Sequence, residues 1–176
     1  MSGTLVTVHQ ALHAALREAL EEALVAATEA TAAGLERASG HWDRVTATVT
    51  VHAADEEEAL ATLGTAAPRG GDATLVVAEH RKLEVLLGEG RAALARIGAT
   101  SNDRRRALVR ELDVLLRAVH LFEHHTRREE QIVYPHLAGA TGLDPEVSDR
   151  LARRIAERTA NLVSTQSRAD GAVAPD

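Results

Sequence analysis

The chain has 176 residues, a formal net charge of −6 and no cysteine. This length supports one domain with a sizeable core, and the negative charge gives no indication of the basic surface that is typical of nucleic-acid-binding proteins. The lack of cysteine excludes disulfides, thiolate metal sites and iron–sulfur ligands.

Five helical segments are predicted from apolar spacing and from the glycines and prolines between them. Alanine, leucine and valine dominate the apolar residues, and aromatic residues make up only 2% of the chain, which favours closely spaced helices. In chain order, the predicted helices cover approximately residues 4–31, 41–63, 72–97, 104–137 and 144–163. Gly34 is predicted to follow the end of the first helix, and Pro135 to bend or end the fourth.

The predicted fold is all-α, an up-down antiparallel four-helix bundle with an additional C-terminal helix. Residues 1–140 would form the metal-binding bundle, residues 141–166 an accessory helix and residues 167–176 a disordered tail. The chain has no recognisable signal peptide or membrane-spanning stretch. We therefore expect a soluble cytoplasmic protein.

Two copies of the pattern His-x-x-x-Glu lie on the second and fourth predicted helices. They are His52–Glu56 and His125–Glu129, and each is preceded by a helix with its own histidine, His9 or His80. Residues four apart share one face of a helix, one turn of about 5.4 Å from each other. Each pair can therefore present an imidazole and a carboxylate to the same metal ion.

The predicted turns between the helices lie at the positions that would bring all six ligands to one height in the bundle. In an up-down bundle, residues at equal height are equally far from the turn that joins their helices. The midpoints of His80 and His125, of Glu56 and His80, and of His9 and His52 fall near residues 102, 68 and 30, which are all in or near predicted turns. Four imidazoles and two carboxylates are thus predicted to meet, with two histidines on each of two ions and bridging glutamates.

Several other residues are alternatives for this centre. His13 could replace His9 on the first helix, although His9 lies closer to the leucine stripe. Glu84 could contribute as a ligand or as an outer partner of a ligand imidazole. Glu130 could also be such an outer partner. Tyr134 would approach only if the helix were distorted at Pro135. The remaining histidines were assigned to solvent, to a structural role or to a site too distant along the axis: His120, His124, His41 and His136.

The order His9, His52-x-x-x-Glu56, His80, His125-x-x-x-Glu129 resembles the hemerythrin-like HHE cation-binding domain. The stretch from His125 to Pro135 is similar to the fourth-helix motif of that family, and Val8-His9-Gln-Ala-Leu12 resembles its first-helix entry, which supports His9 over His13. The resemblance covers approximately residues 4–140. It implies a non-heme di-iron centre with two iron ions and an oxo or hydroxo bridge; manganese and zinc are the alternatives.

The resemblance also implies a set of functions. Oxygen-carrying hemerythrins have an extra histidine pair on the third helix and an aspartate on the fourth, whereas this chain has one histidine and Glu129 there. It is closer to the bacterial hemerythrin-like proteins, for which catalase-like activity is the reported theme. We therefore expect a protein that reacts with or binds dioxygen or peroxide, with catalase-like peroxide decomposition as one form of this reactivity.

Three other functions remain open at this stage. The chain could be a non-catalytic sensor or binder of dioxygen, nitric oxide or iron, or a di-iron oxygenase that acts on an organic substrate. It could also be a helical interaction module without a metal. The expected partners are small ligands such as dioxygen, peroxide or nitric oxide, with no nucleic acid and no membrane. Either a monomer or a homodimer is compatible with the amphipathic fifth helix.

Overall fold

The five predicted helices are present in a computed structural model of the chain, which describes residues 2–63, 72–100, 102–133 and 145–170. The helices are α1 (Ser2–Thr28), α2 (Ala32–Leu63), α3 (Asp72–Ala99), α4 (Arg104–Arg128) and α5 (Pro145–Asp170). A π-helical turn, Glu129–Val133, continues α4. The described residues include no β-strand, and the all-α prediction is confirmed. In the part of the chain that the structure describes, no helix has an apolar stretch long enough to cross a bilayer.

The turn between α1 and α2 differs from the prediction. Helix α2 begins at Ala32 rather than near residue 41, so Gly34 lies inside it and does not follow the end of α1. Ala30 takes the left-handed conformation, with φ of 53°. Thr31 then caps α2, because its Oγ1 accepts a hydrogen bond from the Gly34 N–H at 3.0 Å. The glycine is needed for close approach, since a Cβ there would lie 2.7 Å from the Ala26 carbonyl oxygen.

Helices α1 to α4 pack in sequence, each against the next, and their predicted apolar stripes form one core. Helix α5 packs mainly on α1 and also on α2, and its residues Leu151, Ile155 and Leu162 are buried in the same core. The fifth helix therefore covers the bundle. It also extends to Asp170, beyond the predicted end near residue 163. Tyr134, Pro135 and His136 lie outside the described residues.

Ion pairs fix the position of α5 against α2. Asp55 is buried, and its carboxylate pairs with Arg154 at 3.2 Å and with Arg158. The exposed Glu58 pairs with Arg154 at 2.9 Å. Buried carboxylates need such partners because the cost of removing a charge from water is several kcal/mol.

Trp42 joins α2 to α3 through a close contact with glycine. Its side chain is fully buried, and its Nε1–H donates to the Leu87 carbonyl oxygen at 2.8 Å. A Cβ added at Gly90 would lie 2.1 Å from the Trp42 ring, whereas a Cβ at Gly88 would meet nothing within 4 Å. Packing therefore requires glycine at position 90 but not at position 88.

We predict opposite effects for alanine at these two positions. Gly90→Ala should lower the free energy of unfolding by about 1–3 kcal/mol, because the buried indole must move. Gly88→Ala should raise it by about 0.5–1 kcal/mol, because alanine favours the helix and finds open space. Urea unfolding of both variants and the wild-type protein measures the difference. Equal effects of the two substitutions would contradict the packing described here.

Candidate metal centre

All six residues predicted as ligands are buried in the interior of the bundle. They are 5% exposed or less: His9, His52, Glu56, His80, His125 and Glu129. The four-residue spacing within each His-x-x-x-Glu pair places both side chains on the inner face of α2 or α4, as the periodicity predicts. Burial of so many polar groups is costly unless they bind one another or a cation.

The Glu56 carboxylate lies between two groups of histidines. Its Oε1 is 3.4 Å from His52 Nε2, and its Oε2 is 3.1 Å from His80 Nε2. One oxygen therefore faces the helix pair α1–α2 and the other faces α3. This arrangement allows a single carboxylate to bridge two ions.

The Glu129 carboxylate spans the same two groups from the opposite helix. Its Oε1 is 2.7 Å from His125 Nε2 and 3.4 Å from His80 Nε2, whereas its Oε2 is 3.3 Å from His13 Nε2. Its backbone N–H donates to the carbonyl oxygens of both His125 and Thr126, where α4 changes to the π-helical turn. Such π-helical turns are frequent at functional sites.

Two overlapping sets of four residues can each hold one metal ion. In each set the ligand atoms lie within 4.8 Å of one another, and the two glutamates belong to both sets. The first set contains His13 and His52, and the second contains His80 and His125. The geometry thus brings together five of the six predicted residues, with two histidines in each set and both glutamates shared, and it adds His13.

His9 and His13 both lie at this centre. His13 is fully buried and contacts His52 and Glu129, whereas the Nε2 of His9 lies 3.5 Å from Glu56 Oε1. The rings of His9 and His52 are 5.2 Å apart. The sequence treated the two histidines as alternatives, but one turn of α1 places both of them beside the carboxylates. His9 stays a predicted ligand.

Three carboxylates contact the outer nitrogens of the imidazoles. The Nδ1 atoms of His125, His80 and His13 lie 3.2 Å from Glu79, 3.2 Å from Glu57 and 3.3 Å from Glu130, respectively. A carboxylate at Nδ1 places the proton there and leaves the Nε2 lone pair free to bind a metal. Glu130 is one of the outer partners expected from the sequence, whereas Glu57 and Glu79 are not.

The outer glutamates are sequence neighbours of residues at the centre, which marks them as candidates, although their contacts depend on side-chain rotamers. Glu79 directly precedes His80, and Glu57 and Glu130 directly follow the two central glutamates. Arg128 supports Glu79 through a contact of 3.2 Å between its Nε and Glu79 Oε1. Glu84 is exposed and lines a cleft beside His80 but does not reach the central carboxylates.

Several titratable groups of the centre have pKa values that are shifted from their usual range. Burial and the nearby Glu129 raise the pKa of Glu56 to about 7. Burial lowers the pKa of His80, but hydrogen bonds to the two glutamates prevail and raise it to about 10. Burial and the neighbouring imidazoles lower the pKa of His52. Cations between the carboxylates would relieve their repulsion and displace the proton from His80, so metal binding would release protons.

These donors fit metal ions in their spacing as well as in their chemistry. Two donors bound at right angles with bonds of about 2.1 Å lie about 3 Å apart. The Nε2 atoms of His13 and His52 are 3.1 Å apart, close to that separation. Among the described residues, the buried Nδ1 of His52 has no hydrogen-bond partner. Imidazole and carboxylate donors without thiolates suit iron, manganese or zinc.

The three described histidines that were expected to have other roles lie away from the centre. His120 and His124 are exposed on α4, as predicted. His41 is buried beside Trp42, and its Nδ1 lies 2.9 Å from Arg44. Neither the exposed pair nor His41 belongs to the two metal-holding sets.

We predict that Glu79→Gln weakens metal binding by about 10–100-fold, because His125 loses the carboxylate that fixes its orientation. Glu84→Gln removes an exposed glutamate from the same helix and should leave the affinity unchanged. Competition for iron against a chelator measures both variants. The assignment of Glu79 would be refuted if the two substitutions had the same effect.

The family model for the hemerythrin HHE cation-binding domain matches residues 71–173, which is more than half of the chain. This range includes His80, His125 and Glu129, and it extends over α5. Comparisons with curated proteins and with solved structures found no match.

Proposed function

Because this chain belongs to the hemerythrin HHE cation-binding family, we propose that it is a non-heme di-iron protein that reacts with or binds dioxygen or peroxide. The observation that carries the proposal is the double contact of each central glutamate. Glu56 and Glu129 each direct one oxygen to the imidazoles of α1 and α2 and the other towards those of α3 and α4. Two ions held by shared carboxylates would be close enough to act on one small ligand.

The chemistry of the donors supports iron. Imidazole and carboxylate ligands accept iron, manganese and zinc, and family membership favours iron among them. Iron would supply electrons and open coordination positions, which dioxygen or peroxide chemistry requires. Manganese and zinc are the alternatives in a metal analysis.

The residues of the chain would hold and orient the ions and limit access of water. The imidazoles and the two central glutamates would bind the metal, and Glu57, Glu79 and Glu130 would keep the Nε2 atoms of three imidazoles directed inward. Phe122 is buried, and its ring centre lies 6.2 Å from that of His13. Such apolar neighbours exclude bulk solvent from the centre.

The space beside the centre supports a small ligand rather than an organic substrate. The cleft at His80 has a volume of 160 Å³, and its lining includes Ala53, Glu57 and Glu84. Pockets for organic ligands usually measure about 300–1,000 Å³. Of the six predicted ligands, only His80 lines this cleft, and its volume suits dioxygen, peroxide or nitric oxide better than an organic substrate, so an oxygenase reaction on a larger substrate is the weaker alternative.

Metal analysis and turnover assays test the proposal. After loading with ferrous iron under anaerobic conditions and exposure to air, the protein should hold two irons per chain. His52→Ala and Glu129→Ala should lose iron, because each removes a donor that faces the centre. His124→Ala is the matched control, since it removes an exposed histidine from the same helix as Glu129. Retention of two irons by both donor variants would refute the site.

The same iron-loaded protein distinguishes an enzyme from a binder. Continuous consumption of hydrogen peroxide with release of dioxygen would support catalase-like turnover. Reversible spectral change with dioxygen or nitric oxide, without consumption of peroxide, would support the alternative of a non-catalytic sensor or binder. No reaction with any of these ligands would contradict the proposed function.

A further inference from the structure

Two of the outer glutamates, Glu57 and Glu130, each line a cleft between neighbouring helices. Glu57 lies in the cleft between α2 and α3 and is 3.2 Å from His80 Nδ1. Glu130 lies in the cleft between α1 and α4 and is 3.3 Å from His13 Nδ1. The side chains of both glutamates are partly exposed. Each cleft therefore reaches from solvent to a carboxylate that contacts an imidazole of the centre.

The residues that line the two clefts occupy matching positions on the two helix pairs. His13 of α1 and His80 of α3 belong to corresponding sets at the centre. Four residues after these histidines, α1 has Arg17 and α3 has Glu84. Three and four residues before the outer glutamates, α2 has two alanines, whereas α4 has an arginine and a threonine: Ala54, Ala53, Arg127 and Thr126. The clefts thus share their place in the fold but differ in their side chains.

These differences give the two clefts different charges. In the α1–α4 cleft, two arginines offset two glutamates, and Arg17 Nη1 donates to Thr126 Oγ1 at 3.4 Å across the cleft. The lining of the α2–α3 cleft includes two glutamates and a single arginine. The α2–α3 cleft therefore carries a net negative charge, which attracts cations.

The α2–α3 cleft also leads directly to a metal ligand. Of the two clefts, only this one is lined by a predicted ligand, the buried His80, although the α1–α4 cleft is the larger, at 250 Å³ against 160 Å³. The Nδ1 of His80 faces Glu57 in the cleft. Its Nε2 lies 3.1 Å from Glu56 and 3.4 Å from Glu129. A single imidazole therefore separates the cleft from both central carboxylates.

We propose that metal ions enter and leave the centre through the α2–α3 cleft, where the carboxylates of Glu84 and Glu57 bind the cation before it passes His80. This inference rests on the proposed di-iron centre and adds the route by which the ions reach it. A negatively charged cleft raises the local concentration of cations and the rate at which they bind. Glu84 is exposed and outside the two metal-holding sets, so it would act on the rate of loading and not on the final affinity.

The rate of iron loading tests the route. Metal-free protein is mixed with ferrous iron under anaerobic conditions, and a chromogenic chelator captures the unbound iron after set delays. Glu84→Arg, which introduces the charge found at Arg17, should slow loading about tenfold at low ionic strength, and added salt should reduce the difference. Release of iron into excess chelator should slow by the same factor, because the same barrier is crossed in both directions. The affinity and the two bound irons should be unchanged.

Two further variants control for charge and for folding. Glu22→Arg makes the same change in net charge at an exposed position of α1 and should leave the rate unchanged. Ala54→Arg narrows the α2–α3 cleft at an exposed position, as Arg127 does in the other cleft, and should also slow loading if Glu84→Arg does not fold.

The outcomes separate the route from the proposed function. Loading at the wild-type rate in both cleft variants, or equal slowing by Glu84→Arg and Glu22→Arg, would overturn the proposed route. Faster loading in Arg127→Ala would also overturn it, because that result would place entry in the α1–α4 cleft. A wild-type protein that binds fewer than two irons would refute the proposed function instead.

Discussion

The structure depends on holding two carboxylates, Glu56 and Glu129, close together in the interior of a helical bundle. Burial and mutual repulsion raise the pKa of Glu56 to about 7, so the metal-free centre favours protonation of one carboxylate. The imidazoles on either side offset part of this repulsion through contacts of 2.7–3.5 Å. A pair of divalent cations would offset the rest. The metal centre is therefore the physical reason for the costly burial of these groups.

Packing around the centre keeps the four helices at the required distance. Small residues allow close approach, as at Gly34 beside α1 and at Gly90 beneath Trp42. Helix α5 adds a second constraint, because Asp55 is adjacent to Glu56 and is paired with arginines of α5. The accessory helix thus positions α2 at the height of the ligands. This scaffold leaves a cleft of only 160 Å³ beside His80, which supports the proposal that the ligands of the centre are small.

The sequence predicted the centre better than its surroundings. The alternation of His and His-x-x-x-Glu and the turn midpoints placed His52, Glu56, His80, His125 and Glu129 at one height, and the structure brings them together. On α1 the sequence left His9 and His13 as alternatives, because helical phase alone does not describe the local path of the helix. In the structure both histidines lie at the centre. The start of α2 was missed because glycine usually ends helices, whereas here Thr31 caps one. Nδ1 contacts such as that of Glu79 depend on rotamers and cannot be calculated from spacing alone.

Anomalous diffraction at the iron absorption edge, from crystals of the iron-loaded protein, tests the central claim most directly. We expect two peaks about 3.5–4 Å apart, the usual separation in two-metal centres, with Glu56 and Glu129 binding both. One peak should lie beside His52 and the other beside His125. A single peak, or peaks bound by only one of the two glutamates, would contradict it.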